Sequence, residues 1–244
     1  MTTPAEKYAA AKLRGQHPIT TEFLLTFDFE FDPFQISACH AVEDGKGVLV
    51  AAPTGAGKTV VGEFAAYFAL QAGKKCFYTT PIKALSNQKY SEFVAKFGED
   101  RVGLLTGDTS INGEADILVM TTEVLRNMLY AGSNTLINLG CVVMDEVHYL
   151  ADKFRGAVWE EVLIHLMESV QVISLSATVS NAEEFGEWLG EVRGETEVIV
   201  SEIRPIPLFQ HVLIGSRLMD LFEQPGRINP EILQREREAI RRSS

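Results

Sequence analysis

Short apolar runs rich in β-branched residues recur along the chain: GVLVAAP (47–53), KCFYTTP (75–81), VGLLTG (102–107), ILVMTT (117–122), CVVMDE (141–146), VQVISLSAT (170–178) and TEVIVSE (196–202). Several are apolar at consecutive rather than alternate positions, the pattern of strands covered on both faces. Between them lie stretches with helical periodicity, among them GKTVVGEFAAYFALQAG and GAVWEEVLIHLMESV. Strand alternating with helix predicts an α/β fold, a doubly wound, mainly parallel sheet with helices on both faces. Ligands of such sheets sit beyond the carboxyl ends of the strands. The polar residues that follow the runs are therefore expected along one edge. They are Thr54–Thr59, Thr80–Lys83, Gly107–Asp108, Thr121–Glu123, Asp145–His148 and Ser176–Thr178.

One of these junctions carries strong chemistry. In VLVAAPTGAGKTVVGEF a strand, a tight loop and a helix follow in order, and APTGAGKT fits the phosphate-binding P-loop except that Ala52 stands for the first glycine. In the cofactor-binding loop Pro53, Thr54, Gly55, Ala56 and Gly57, the two glycines would let backbone N–H groups curl round phosphate oxygens, with the helix N-terminus pointing at them. Lys58 would reach the β- and γ-phosphates and Thr59 would hold Mg²⁺ through its hydroxyl. A nucleoside triphosphate site follows. The run CVVMDEVHYL then ends in adjacent carboxylates, and in a P-loop fold such a strand end supplies a second Mg²⁺ contact, here Asp145. Glu146 is placed to orient or deprotonate the attacking water. Successive strand side chains face opposite ways, so both carboxylates share one cleft only if the strand stops there. A zinc-protease reading of His148 fails, because no second histidine lies three or four residues away.

Composition narrows the partners. Of 244 residues, 46% are hydrophobic and 23% charged, which suits a folded domain rather than a disordered one. The net charge of −11 argues against a surface coated by nucleic acid, so any such binding needs a local groove. Cys39, Cys76 and Cys141 show neither disulfide nor metal spacing, and the last two lie in apolar runs as core residues would. The charged N-terminal stretch and the lack of a long apolar run point to a cytoplasmic protein without a membrane partner. No obligate oligomer is expected. Trp159 and Trp188 sit in amphipathic helical patterns and read as core; His17, His40, His165 and His211 match no catalytic pattern.

Taken together, the motifs resemble those of superfamily 2 helicases. FEFDPFQ is similar to the adenine-recognition motif, APTGAGKT to motif I and TTPIKALSNQKY to motif Ia. LLTGD and MTTEVLRNMLY are similar to the next nucleic-acid-contacting motifs, DEVH to motif II and SAT to motif III. The wording PIKALSNQKY, DEVHYLADKFRGAVWEE and RPIPL is most similar to the superkiller, exosome-linked DExH RNA helicases and their bacterial relatives, over roughly residues 28–215. The resemblance implies a RecA-like P-loop NTPase lobe that uses ATP and Mg²⁺. It implies that Gln35 bonds the adenine edge and Phe29 stacks on the base. Asp32, Pro33 and Gln35 also read as N-cap, N1 and N3 of a helix, which leaves that residue open. It implies contacts with the backbone of single-stranded RNA or DNA by Thr80, Pro81, Lys83, Gly107, Asp108, Thr121, Thr122 and Arg126. The threonines equally suit strand ends and helix caps. Ser176, Ala177 and Thr178 would couple γ-phosphate sensing to the strand-binding surface, with His148 as relay.

Family members have a second RecA-like lobe bearing a Gln-Arg-x-Gly-Arg-x-Gly-Arg motif, which QREREAIRR (234–242) imitates without its glycines. The expectation is an N-terminal lead-in (1–27), an ATP-binding domain (28–203) and a linker (204–244) toward an absent second lobe, with Met1 the native start. Arginine fingers contribute about 10³–10⁵ in turnover, so the lobe alone is expected to bind Mg-ATP weakly and to be nearly inactive.

Overall fold

The computed structural model describes residues 15–147, 156–177, 182–205, 209–224 and 226–235. The chain divides into two compact units, 1–203 and 204–244. In the first, all seven anticipated runs form strands: β1 (Gly47–Ala51), β2 (Lys75–Thr80), β3 (Val102–Leu105), β5 (Ile117–Thr121), β6 (Leu139–Asp145), β7 (Gln171–Ser176) and β8 (Thr196–Val200). A two-residue strand, β4 (Ser110–Ile111), adds to them antiparallel to β3. The sheet order is β4-β3-β5-β2-β6-β7-β1-β8, and every pairing other than β3–β4 is parallel.

Among the described residues, seven α-helices cover the sheet: α1 (Pro18–Leu24), α2 (Pro33–Glu43), α3 (Thr59–Gln71), α4 (Lys83–Phe97), α5 (Thr122–Ala131), α6 (Gly156–His165) and α7 (Ala182–Arg193). The period-two alternation of the strands sorts their side chains between two cores. Val48, Val50, Cys76, Tyr78, Cys141, Val143, Ile173 and Leu175 pack with Phe23, Phe64 and Phe93 under α1–α4. Leu49, Ala51, Phe77, Val142, Met144 and Val172 pack with Leu125, Trp159 and Leu189 under α5–α7. The central strands β1, β2, β5, β6 and β7 are thus buried on both faces, the physical reason their apolar runs are unbroken. All three cysteines are buried and free, and Trp188 packs at the margin of the second core.

The described part of the lead-in belongs to this core: Phe23 is buried, and the Glu43 carboxylate caps α1 by accepting from the backbone N–H groups of Ile19 (3.0 Å) and Thr20 (2.8 Å). The second unit contains more order than a bare linker. Two hairpins form, β9 (His211–Ile214) with β10 (Arg217–Asp220) and β11 (Phe222–Gln224) with β12 (Arg227–Ile228), and residues 230–235 are helical. Gly215, at φ +64°, turns the first hairpin. Alternating residues either side of Gly215-Ser216 carried that signal in the sequence. Among the described residues, no helix is long and apolar enough to cross a membrane.

Candidate nucleotide and nucleic-acid edge

Because the strands are parallel, the segments after β1, β2, β3, β5, β6 and β7 leave the sheet at one edge. The sheet order divides them. The ends of β6, β7 and β1 are neighbours, and so are the ends of β3, β5 and β2.

On the first half, Ala52 extends the pairing of β1, its N–H donating to the Ser176 carbonyl (3.1 Å), while its side chain is buried in the α3-side core. A methyl group is therefore accommodated where the P-loop pattern has glycine. The loop then turns through Gly55 (φ +84°) and Gly57 (φ +80°), a region that side-chain-bearing residues rarely enter. At Gly57 an added Cβ would lie 2.5 Å from Nε2 of Gln35. That amide holds the loop: Nε2 donates to the carbonyls of Gly57 (3.0 Å) and Ala56 (3.3 Å), while Oε1 accepts from the Asp32 N–H (2.9 Å). Gln35 is buried and completes a capping box at the start of α2. Of its two anticipated roles, the cap is the one visible in its bonding. Phe29 is 58% exposed, its ring 4.8 Å from that of Phe31 and 5.3 Å from that of Phe27, so one face of an aromatic cluster is open to a base.

Lys58 is nearly buried, and its ammonium donates to the carbonyls of Ala52 (2.7 Å) and Pro53 (3.1 Å). Burial lowers its pKa, and the charges of Glu146 and Asp145 oppose that shift from nearby. Thr59 opens α3, whose first N–H groups have no partner within the helix. Across β7 from β1, β6 stops at Asp145, and Glu146 adopts φ +58°. That conformation costs a side-chain-bearing residue roughly 1–3 kcal/mol and is common at functional sites. It takes Glu146 out of strand alternation, and the charges of both carboxylates act on Lys58. Asp145 accepts from the Glu146 N–H through Oδ1 (2.9 Å) and from the Tyr78 hydroxyl through Oδ2 (2.6 Å). Tyr78 escaped sequence reasoning. It sits mid-strand in an apolar run, and its partner lies 67 residues on.

Ser176 is buried at the end of β7 with Ala177 half-buried beside it, both lying between the P-loop and the carboxylates. His148 and Thr178 lie outside the described residues. The residues present fit a Mg²⁺-nucleotide. A helix N-terminus, a lysine and a threonine hydroxyl converge with one carboxylate, and Mg²⁺ characteristically takes one or two carboxylates alongside substrate phosphates and water. Among the described residues no cluster of three or more histidine, cysteine or carboxylate ligands could hold a metal by itself.

On the other half of the edge the threonines are buried and the charged groups are exposed or half-exposed. Lys83, Gly107 and Asp108 are solvent-exposed, and the Lys83 ammonium bonds both Asp108 carboxylate oxygens at 2.6 Å. That contact, with a hydrogen bond from Thr106, holds the Asp108 carboxyl below its ordinary range. The Thr80 hydroxyl pairs with that of Ser86 (2.7 Å), and the Thr122 hydroxyl donates to the Thr80 carbonyl (3.3 Å), so both side chains are engaged internally. Pro81 and Thr121 are buried, Thr121 as the N-cap residue of α5. Arg126 faces Glu161 of α6 at 3.7 Å. A contact from this half to a nucleic acid would have to use backbone groups and the Lys83 and Arg126 side chains once released from their partners.

The model of the DEAD/DEAH box helicase family matches residues 32–185. "Probable helicase HelY" of Mycobacterium leprae is 61% identical over 217 residues, which are 87% of this chain and 24% of that protein. "ATP-dependent RNA helicase mtr4" of Schizosaccharomyces pombe is 48% identical over 192 residues, 78% of this chain and 17% of that protein. The chain thus spans at most 24% of the length of these relatives. Among solved structures, Mycobacterium smegmatis helicase Lhr bound to ssDNA and AMP-PNP superposes with a TM-score of 0.61 at 30% identity, covering 75% of this chain and 27% of that one. DUF1998 helicase MrfA bound to DNA, 22% identical with a TM-score of 0.61, shares the fold.

Proposed function

Since the chain belongs to the DEAD/DEAH box helicase family, we propose that it is the first RecA-like lobe of an ATP-dependent RNA helicase. The observation that carries this reading is the meeting of Lys58, Asp145 and Glu146 at the ends of β1 and β6, either side of β7, with Lys58 under the influence of both carboxylates. Lys58 exchanges its two loop carbonyls for phosphate oxygens, and the backbone from Thr54 to Thr59 cradles the rest. Thr59 and Asp145 would hold Mg²⁺, which would supply positive charge to offset that of the phosphates. Glu146, turned toward the same cleft, accepts the proton of the attacking water. Phe29 offers its open face to adenine. The carboxyl edge of β3, β5 and β2 receives a nucleic-acid strand through its backbone, and Ser176 and Ala177, at the end of β7 within the nucleotide half, couple the two.

RNA is favoured over DNA by the printed name of the Schizosaccharomyces pombe relative. The Lhr structure, with ssDNA, keeps DNA as the alternative. The compartment we infer is the cytoplasm. A second lobe, supplying arginines to the γ-phosphate, would complete the ATPase, and domain 28–203 with linker 204–244 is our division of labour. The test uses this 244-residue chain. Calorimetry is expected to show weak, Mg²⁺-dependent ATP binding. Anisotropy is expected to show tighter binding to single-stranded RNA than to DNA of the same sequence. Absence of ATP binding would overturn the nucleotide reading. Nucleic-acid-stimulated hydrolysis at the rate of an intact helicase would overturn the single-lobe reading.

A further inference from the structure

We propose that Tyr78 is a positioning residue for the carboxylate of Asp145, and that its hydroxyl sets how tightly Mg²⁺ is held. This rests on the reading of Asp145 as a Mg²⁺ contact. The geometry follows from the sheet. Tyr78 pairs in register with Val143 of β6, and both point to the α3 side. Asp145 stands on the same face two residues further on, about 6.6 Å along the strand. A tyrosine leaning along its strand spans that distance, and the hydroxyl meets Oδ2 at 2.6 Å. With the Glu146 N–H on Oδ1, each carboxylate oxygen has one oriented donor and keeps a further acceptor position.

The ring is clamped on the remaining sides. Phe93 of α4 packs edge-on at 5.1 Å and the Lys89 ammonium lies 5.6 Å from the ring centre. From α3, Gly62 approaches so closely that a Cβ there would stand 2.7 Å from Cε2 of Tyr78. The hydroxyl therefore has little freedom, and the carboxylate it touches is presented in one orientation. Phenylalanine would fill the same space and keep every ring contact. What tyrosine adds is the donor on Asp145.

The experiment compares this chain with Tyr78→Phe and Asp145→Asn. A fluorescent, non-hydrolysable ATP analogue is bound at increasing Mg²⁺, and Mn²⁺ binding is followed separately by electron paramagnetic resonance. Groups that orient a metal ligand typically contribute about 10–100-fold in metal affinity. Tyr78→Phe is expected to raise the Mg²⁺ midpoint about tenfold while leaving metal-free analogue binding and the thermal midpoint near those of the parent. An unshifted Mg²⁺ midpoint in Tyr78→Phe, with a large shift in Asp145→Asn, overturns the proposal alone. Equal loss of binding with and without metal marks a merely structural role and also overturns it. If Asp145→Asn leaves the metal dependence untouched, the underlying reading of Asp145 is what fails.

Discussion

The two halves of the carboxyl edge share one sheet and are built on opposite principles. Where β6, β7 and β1 end, the polar side chains are largely buried, and they bond to each other and to the loop backbone. Lys58, Gln35, Asp145 and Tyr78 make such bonds at 2.6–3.3 Å. Where β3, β5 and β2 end, the threonines are buried as well, but the charged groups are exposed or half-exposed and are matched as ion pairs, Lys83 with Asp108 and Arg126 with Glu161. A buried polar group without a partner is costly, whereas an exposed pair contributes about 0–1 kcal/mol. The first half therefore has little latitude for substitution, as suits a small ligand of fixed shape. The second half can exchange partners, as suits a strand that must slide.

The largest expected difference comes from removing the lysine of each half. Lys58→Ala takes away a charge-assisted contact to phosphate worth up to about 3 kcal/mol, roughly a hundredfold in ATP affinity. Lys83→Ala should leave ATP binding unchanged. It should weaken single-stranded RNA severalfold and reduce the slope of log affinity against log salt by about one unit. Calorimetry for ATP and anisotropy across a salt series check both. If Lys83→Ala weakened ATP as much as Lys58→Ala, the division of the edge would collapse.

The same division explains what was legible in the sequence. Strands buried on two faces show as unbroken apolar runs, and the P-loop is a local motif, so both were readable residue by residue. The coincidence of Lys58 with Asp145 and Glu146 needed only the rule that sites gather at the carboxyl edge. The Tyr78 bond needed the register of β2 on β6, which no local pattern encodes. A strand-end or cap role for Thr80 and Thr122 was one of the two readings open from the sequence, but their actual partners were not legible, because these are set by the packing of α4 and α5 against strand ends. Phe23 was hidden for a related reason: one aromatic in a short helix shows little periodicity, although it is buried in the main core. The hairpin round Gly215-Ser216 was signalled by alternation but lies past the last family-like motif.

A middle-sized effect is expected where a single residue serves both cap and loop. Gln35→Ala removes the capping bond to Asp32 and two bonds to the loop, and should destabilise the domain by about 1–2 kcal/mol, read from urea unfolding. Nucleotide binding separates its two possible duties. If Gln35 only steadies the loop, ATP and GTP weaken together. If it also reads adenine, the preference for ATP over GTP shrinks, because an amide discriminates the adenine edge by hydrogen bonding. Equal weakening would make this half of the edge a phosphate site whose base contact is stacking on Phe29.

The smallest effect belongs to Asp108→Asn, and its sign is the informative part. Asp108 is a proposed contact, yet its carboxylate would repel a phosphate, and in the structure it neutralises Lys83. Asn at this position frees the ammonium, so single-stranded RNA should bind more tightly, by roughly threefold, and with a steeper salt dependence. The pairing with Lys83 lowers the carboxyl pKa of Asp108. Such a pair is complete above the ordinary carboxylate value and is lost only as pH falls through the depressed one. Near neutral pH the difference between parent and variant should therefore be constant. Weaker RNA binding by Asp108→Asn would mean that Asp108 accepts a hydrogen bond from the strand itself, from a sugar hydroxyl or a base. RNA and DNA would then have to be compared on the variant as well as on the parent, since only a contact to the 2′-hydroxyl would separate them.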